Sequence, residues 1–346
     1  MTRTDQLPAV DDVTGWFADV RALMTPALTE AVAQLGPIMR RICSYQFGWI
    51  DERGRPTSGM AGKAVRPALL LASAEAVGGS IEAAVPAAVA VELLHNCTLL
   101  QDDVMDEDVT RRHRPTAWTL FGKSEAVLAG DSLMALAFAV LATSGREHAG
   151  AAARELARTT HELIEGQAMD IGFERTSAVT LDDAVRMSGA KTASLLGCAC
   201  GIGGRWFGAD EQTCAALTRF GRQLGMAYQL RDDLLGIWGD PKRTGKAVLA
   251  DLGRRKKSLP VVAALTAENR CAQALRSLYD RPDQLTEAEA AEAAELVERA
   301  GGRAWAERAA SEAMAAAEHE LEQLARWGVA TARLAALGRF LVGRDR

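Results

Sequence analysis

The stretch LLQDDVMDEDVTRRHRPT, from Leu99 to Thr116, places Asp102 and Asp106 four residues apart. On a helix these carboxylates project from one face, where like charges repel and weaken the helix. A divalent cation relieves that repulsion. Magnesium suits the pair, because it takes oxygen ligands and is held by one or two carboxylates together with substrate phosphates. Asp103 points about a quarter-turn away and stands beside the pair rather than on it. Arg111, Arg112 and Arg114 follow at once. Carboxylates and then guanidinium groups give a place for metal and a place for phosphate.

A second acidic pair lies far along the chain, in MAYQLRDDLLGIWGDPKRTGK. Asp232 and Asp233 close an apolar run, but the position four after Asp232 is Gly236, and the next acid, Asp240, falls in a Gly-Asp-Pro turn. A second carboxylate site is what a multi-metal phosphate clamp requires. Cations recur where loops meet helices: Lys63 and Arg66 in AGKAVRP, Lys191 in KTASLL, Lys246 in TGK, and the run Arg254–Lys257. Singly, each reads as a solvated surface charge. Collectively, they suit a polyanion such as a diphosphate, which arginine grips as a planar fork and lysine as a point charge.

These residues need rigid elements behind them. The 346-residue chain is 48% apolar and rich in alanine and leucine, which favours helices over sheet. Periodicity predicts helices over 13–50 with a break at Gly36-Pro37, over 66–77, 83–108, 122–143, 149–172, 181–203 and 210–238, and again from Leu259. No alternating strand run stands out, and no repeat of solenoid period is visible. An all-α, single-domain bundle over residues 1–346 is the simplest architecture. The net charge of −5, with both signs interspersed, argues against a general nucleic-acid binder. The N-terminal MTRTDQLPAVDD lacks the form of a signal peptide. The most apolar stretch, Ala126 to Thr143, contains Asp131 and reads as a buried helix rather than a membrane span. Six cysteines with no CxxC pair read as reduced core thiols of a cytoplasmic protein.

Several blocks, in order, resemble the trans-prenyltransferases, the isoprenyl diphosphate synthases that include farnesyl and geranylgeranyl diphosphate synthases. They are AGKAVRP (with Ala64 where the family has arginine), ELLHNCTLLQDDVMDEDVTRRHRPT, LAGDSLMALAF, EGQAMD, KTASLL, YQLRDDLLGIWGDPKRTGK and DLGRRKKSLP. The resemblance runs from about residue 60 to about residue 305. It implies the isoprenoid-synthase helical bundle, a homodimer, and head-to-tail condensation of isopentenyl diphosphate with an allylic diphosphate. It further implies three magnesium ions, two held by Asp102 and Asp106 and one by Asp232. Arg111, Lys191, Lys256 and Lys246 would grip the allylic diphosphate, and Lys63, Arg66, His95 and Arg112 that of isopentenyl diphosphate. Thr192 and Gln229 would lie beside the reacting carbons. Cys97 and Thr98, five and four residues before Asp102, are small where bulky aromatics go with short products, so geranylgeranyl diphosphate or a longer chain is expected.

Three rival readings stand beside this one. Glu92-x-x-His95 has the spacing of a di-iron bundle motif, but no second ExxH accompanies it. A class I terpene cyclase would share the ionisation chemistry but has no need of the Lys63, Arg66 and His95 set. A non-catalytic synthase subunit would be expected to lose the acids that Asp102, Asp106 and Asp232 retain.

Overall fold

The computed structural model describes residues 12–57, 62–176, 178–239, 249–281 and 283–343. Lys246 and Asp240 lie outside the described residues. The described chain is helical: α1 (Val13–Ala33), α2 (Pro37–Gln46), α3 (Val65–Ala76), α4 (Ile81–Met105), α5 (Ala117–Phe121), α6 (Lys123–Thr143), α7 (Ala149–Arg175) and α8 (Leu181–Ser188). A π-helical turn (Gly189–Ala193) then leads into α9 (Ser194–Arg205). There follow α10 (Glu211–Trp238), α11 (Ala250–Gly253), α12 (Leu259–Leu265), α13 (Arg270–Tyr279), α14 (Glu287–Arg299), α15 (Gly302–Arg326) and α16 (Ala332–Val342). The break at Gly36 falls where the sequence places it, with Pro37 supplying the fixed backbone of a helix's first turn.

The chain divides into two compact units, one of residues 1–157, 198–218 and 321–340, the other of residues 158–197, 219–320 and 341–346. In the first unit, α4 packs on α3 and α6, with α1 alongside. Ser80 starts α4 by accepting the Ala83 N–H at 3.2 Å. Alanines 84, 87, 88 and 90 are buried along α4 and let neighbouring backbones approach, while Leu93, Leu94 and Cys97 fill the space nearer its end. Glu75 on α3 pairs with Arg333 on α16 at 2.6 Å, and the Arg333 guanidinium lies 4.2 Å from the centre of the Trp16 ring. That pairing ties the first, third and last helices together.

The second unit has two apolar clusters. One gathers Ile237, Leu252, Val261, Leu275, Ala293 and Val297. The other gathers Leu230, Leu234, Leu259, Val262, Ala306 and Ala310. Here α12 packs on α8, α13 and α14. A capping box between Thr286 and Glu289 starts α14.

The structure departs from the sequence reading in three ways. The TRRHRPT segment forms a two-stranded hairpin, β1 (Thr110–Arg111) and β2 (Arg114–Pro115), rather than a plain break. Its two central residues, Arg112 (φ 52°) and His113 (φ 61°), are both left-handed, as a tight two-residue hairpin demands. The predicted helix over 181–203 is interrupted by the π-turn. Helix α6 is less enclosed than expected. By length and composition alone, α4 and α6 are each apolar enough to cross a membrane; 67% of that window is buried in α4 but only 39% in α6. Leu128 on α6 is 54% exposed.

All six cysteines are unbonded thiols and five of them are buried. Burial pushes the Cys43, Cys97 and Cys200 thiols up to about 12, which keeps them in the protonated, unreactive form.

The Glu75–Arg333 pair gives a stability prediction. Glu75→Ala leaves a buried guanidinium without its carboxylate and should lower the unfolding free energy by about 3 kcal/mol, measured as a shifted denaturation midpoint.

Candidate active site

In the first unit the acidic cluster ends α4. Asp106 is the C-cap and donates its backbone N–H to the Asp102 carbonyl at 2.8 Å, so Asp102 and Asp106 stand one turn apart as their spacing predicts. The last turn of α4 carries no basic residue. The pair therefore sits at the negative end of the helix dipole, where acids are disfavoured. Asp103 is distinct. It is buried and pairs with Arg111 Nε at 2.6 Å, and burial pushes its carboxyl up to about 6 against the pull of Arg111. Arg111 is thus engaged by Asp103 through Nε, which fixes the guanidinium beside the cluster.

Not all the arginines of the hairpin are alike. Arg114 turns back into the protein, stacking 4.3 Å from the Tyr45 ring centre and donating to the Ile50 carbonyl at 2.9 Å. It anchors the hairpin. The Thr116 hydroxyl and the Trp118 indole both donate to the Asp108 carbonyl, at 2.7 and 2.8 Å, and hold the return strand down. Arg112 is exposed at the turn, and its guanidinium lies against Gly62, where any side-chain carbon would approach it to 2.5 Å. Gly62 also adopts φ +105°, a backbone conformation that favours glycine.

Arg66 and His95 meet directly. Arg66 Nη1 lies 3.0 Å from His95 Nε2. A guanidinium only donates, so Nε2 accepts and the imidazole proton sits on Nδ1. Burial, together with Arg66, Arg112 and Arg111, holds the His95 pKa well below its ordinary value, and the ring is neutral. Glu92, the other half of the ExxH motif, accepts from the Asn96 amide at 3.2 Å. Lys63 is exposed, just before Ala64, which takes the left-handed φ of 51° at the start of α3.

In the second unit, the π-turn presents Lys191 and Thr192. Such turns recur at functional sites, because the extra residue re-aims side chains. Two glycines allow it to sit as it does. A side-chain carbon on Gly166 of α7 would come within 2.5 Å of the Lys191 amide, and one on Gly225 of α10 within 2.6 Å of Ala193 Cα. Lys191 Nζ pairs with Asp170 Oδ2 at 2.6 Å, and Lys256 Nζ lies 3.9 Å from the same oxygen. Burial alone would raise the Asp170 carboxyl, but the two lysines hold it below its usual value. Thr192 Oγ1 donates to Gln229 Oε1 at 2.8 Å, and Gln229 Nε2 donates to Asp233 Oδ1 at 2.6 Å. Asp233 also accepts the Leu259 N–H at 3.0 Å, capping α12. Burial pushes Asp233 up to about 7, whereas its neighbour Asp232 is exposed. In the basic run, Lys257 donates to the Phe173 carbonyl at 2.6 Å and Arg255 to the Tyr279 carbonyl at 3.1 Å, which sets Lys256 apart from them.

Two acids escaped the sequence reading. Asp170 was visible only as the last letter of EGQAMD. Asp251 lies on α11 with Oδ2 3.6 Å from where a side-chain carbon at Gly236 would stand. A carboxylate from another helix thus lies near the position where the second motif has no acid.

Among the described residues, no group of three or more His, Cys, Asp or Glu side chains is arranged to hold a metal by itself. Asp102, Asp106 and Asp232 offer only hard oxygen donors.

The sequence matches the family described as Polyprenyl synthetase over residues 48–297. It is 43% identical over 329 residues to a (2E,6E)-farnesyl diphosphate synthase of Mycobacterium tuberculosis, covering 93% of this chain and 91% of the relative. It is 44% identical over 298 residues to a geranylgeranyl diphosphate synthase of the same organism, covering 86% and 85% of the two chains. The crystal structure of a polyprenyl synthetase from Streptomyces coelicolor superposes with a TM-score of 0.89 at 45% identity, covering 96% of this chain and all of that one. A family match over most of the chain, joined to relatives that span nearly its whole length, makes this protein a member of the polyprenyl synthetase family and a prenyltransferase that makes prenyl diphosphates.

Proposed function

We propose that the enzyme condenses isopentenyl diphosphate head-to-tail with an allylic diphosphate, and that the product is geranylgeranyl diphosphate or longer. The observation that carries the site assignment is the Asp102–Asp106 pair. Two carboxylates one turn apart at the negative end of α4 repel each other, and a divalent cation shared between them relieves that repulsion. Three magnesium ions, held by Asp102, Asp106 and Asp232, would neutralise the diphosphate as it leaves and so favour ionisation of the allylic C–O bond.

The chain's own residues do the rest. Lys191 and Lys256, held by Asp170, present ammonium groups to the allylic diphosphate, with Arg111 beside the first aspartates. Lys246 belongs to the same set. Lys63, Arg66, His95 and Arg112 hold the diphosphate of isopentenyl diphosphate. Neutral His95 accepts from Arg66 and keeps the guanidinium plane oriented. Thr192 and Gln229 form a hydrogen-bonded pair beside the reacting carbons, fixed by Asp233. Asp251 stands in for the acid the second motif lacks at Gly236. The proton lost after carbon–carbon bond formation goes to the departed diphosphate, so no side-chain base is required.

Product length follows from the residues before Asp102. Cys97 is fully buried on α4, and a half-buried Thr98 donates to the His95 carbonyl at 2.8 Å. Both are small, which supports a chain longer than farnesyl. The partly exposed apolar surface of α6, with Leu128, and Ile38 of the neighbouring α2, 67% exposed, support a homodimer built on these helices.

Three tests follow. Incubation with magnesium, labelled isopentenyl diphosphate and each allylic diphosphate should give longer linear prenyl diphosphates. Asp102→Ala should lower kcat by about a thousandfold or more with an unchanged circular dichroism spectrum. Release of a hydrocarbon or alcohol without isopentenyl label would instead mark a cyclase. Replacing Thr98 by Phe should shift the product toward farnesyl diphosphate, seen by chromatography after phosphatase treatment; an unchanged product would move the length control elsewhere. Leu128→Glu should convert a dimer to monomer in sedimentation velocity, and a wild-type monomer would defeat the dimer proposal.

A further inference from the structure

Glu92 is a buried acid that the reaction as described does not use. It is 5% exposed, on α4, one turn before His95. Its Oε1 accepts from Asn96 at 3.2 Å, while Oε2 is buried with no hydrogen-bond partner among the described residues. His95 Nδ1, which carries the imidazole proton, is likewise buried without a partner. Two unsatisfied polar atoms on successive turns are uncommon in a folded core and call for an explanation. The charges acting on the Glu92 carboxyl are Arg66, from α3, and Arg112, from the hairpin turn. These are two of the four residues assigned above to the diphosphate of isopentenyl diphosphate. None of the charges acting on it comes from α1, α5 or α6, which also pack against α4.

We propose that Glu92 is a positioning residue and proton-linked counter-charge for this diphosphate site, ionised to balance Arg66 and Arg112 when the site is empty and protonated from solvent when diphosphate binds. The proposal rests on the assignment of Arg66 and Arg112 to that substrate. The physical reason is direct. A buried carboxylate is costly unless a positive field supports it. The arriving diphosphate neutralises that field and adds negative charge nearby, so the carboxyl gains a proton. Burial already pushes Glu92 up to about 7 in the ligand-free protein, against the pull of Arg66 and Arg112, so a modest change of field moves it through the neutral range.

The sign of the pH dependence follows. Ligand-free Glu92 is protonated well below pH 7 and ionised above it, while the bound form stays protonated to higher pH. Isopentenyl diphosphate binding therefore takes up a proton, and affinity falls as pH rises above about 7, by up to about tenfold per pH unit at the steepest. Glu92→Gln is neutral at every pH. It should lose that slope and bind isopentenyl diphosphate at least as tightly as wild type at alkaline pH.

The test is calorimetric titration of isopentenyl diphosphate into the full-length enzyme with magnesium and a non-ionisable allylic thiodiphosphate. It is run in buffers of different ionisation enthalpy across the neutral and alkaline range. Greater proton uptake in wild type than in Glu92→Gln, with the pH slope lost in the variant, is the expected result. Equal uptake and equal slope would overturn the proposal. Arg66→Met separates the two layers of inference. If it leaves isopentenyl diphosphate affinity unchanged, the assignment of the diphosphate site fails. If it weakens binding while Glu92→Gln changes neither uptake nor slope, only the role of Glu92 fails. Should Glu92→Gln not fold, difference infrared spectra of wild type decide the matter. A protonated-carboxyl stretch that grows when isopentenyl diphosphate is added at alkaline pH supports the proposal, and its absence refutes it.

Discussion

The negative end of α4 is the constraint on which the chemistry depends. Helix carbonyls at that end are already electron-rich, and the sequence adds Asp102, Asp103 and Asp106 there. Asp103 is buried against the guanidinium of Arg111. A fold selected for stability alone would place lysine or arginine in that last turn. The local instability is offset by the packing of α4 along its length, where alanines bring α3 and α6 close and leucines fill the space between. The rigid part of the helix thus carries an end rich in carboxylates.

A comparable division of labour operates in the second unit. The Lys191 and Lys256 ammonium groups converge on one buried oxygen of Asp170. Without that carboxylate, two like charges so close would push apart. With it, they form a small fixed array that still carries net positive charge. The π-turn places Lys191 in this array and Thr192 against Gln229 at the same time, and Gly166 and Gly225 leave the room for it. Anion and cation are therefore arranged oppositely in the two units: carboxylates steadied by arginine in the first, ammonium groups steadied by a carboxylate in the second.

The sequence revealed the parts of the site that depend on spacing and hid those that depend on contact. Asp102 and Asp106 follow from a four-residue interval, and the helices behind them from periodicity. Arg111, Arg112 and Arg114 look equivalent as letters. The structure separates them, because only the fold decides that one meets Asp103, one lies over Gly62 and one stacks on Tyr45. The hairpin was illegible because each strand has two residues and its turn carries Arg-His where Asn-Gly would have signalled it. Gly236 looked like a lost ligand. The carboxylate that faces it, Asp251, is fifteen residues downstream and beyond the reach of any helical interval. The partly exposed face of α6 was illegible for another reason: an apolar stretch has the same composition whether it faces a core or awaits a partner.

These contacts also bear on why the Gly236 departure need not signal a decoy. A side chain at residue 236 would project toward the Asp251 carboxylate. An aspartate there would set a further like charge against Asp251, beside Asp232 and Asp233. With glycine there, Asp251 is the carboxylate nearest that position on the neighbouring helix. The motif is shortened in sequence while an acid is retained in space, a distinction that a linear pattern cannot make and that a single interatomic distance does.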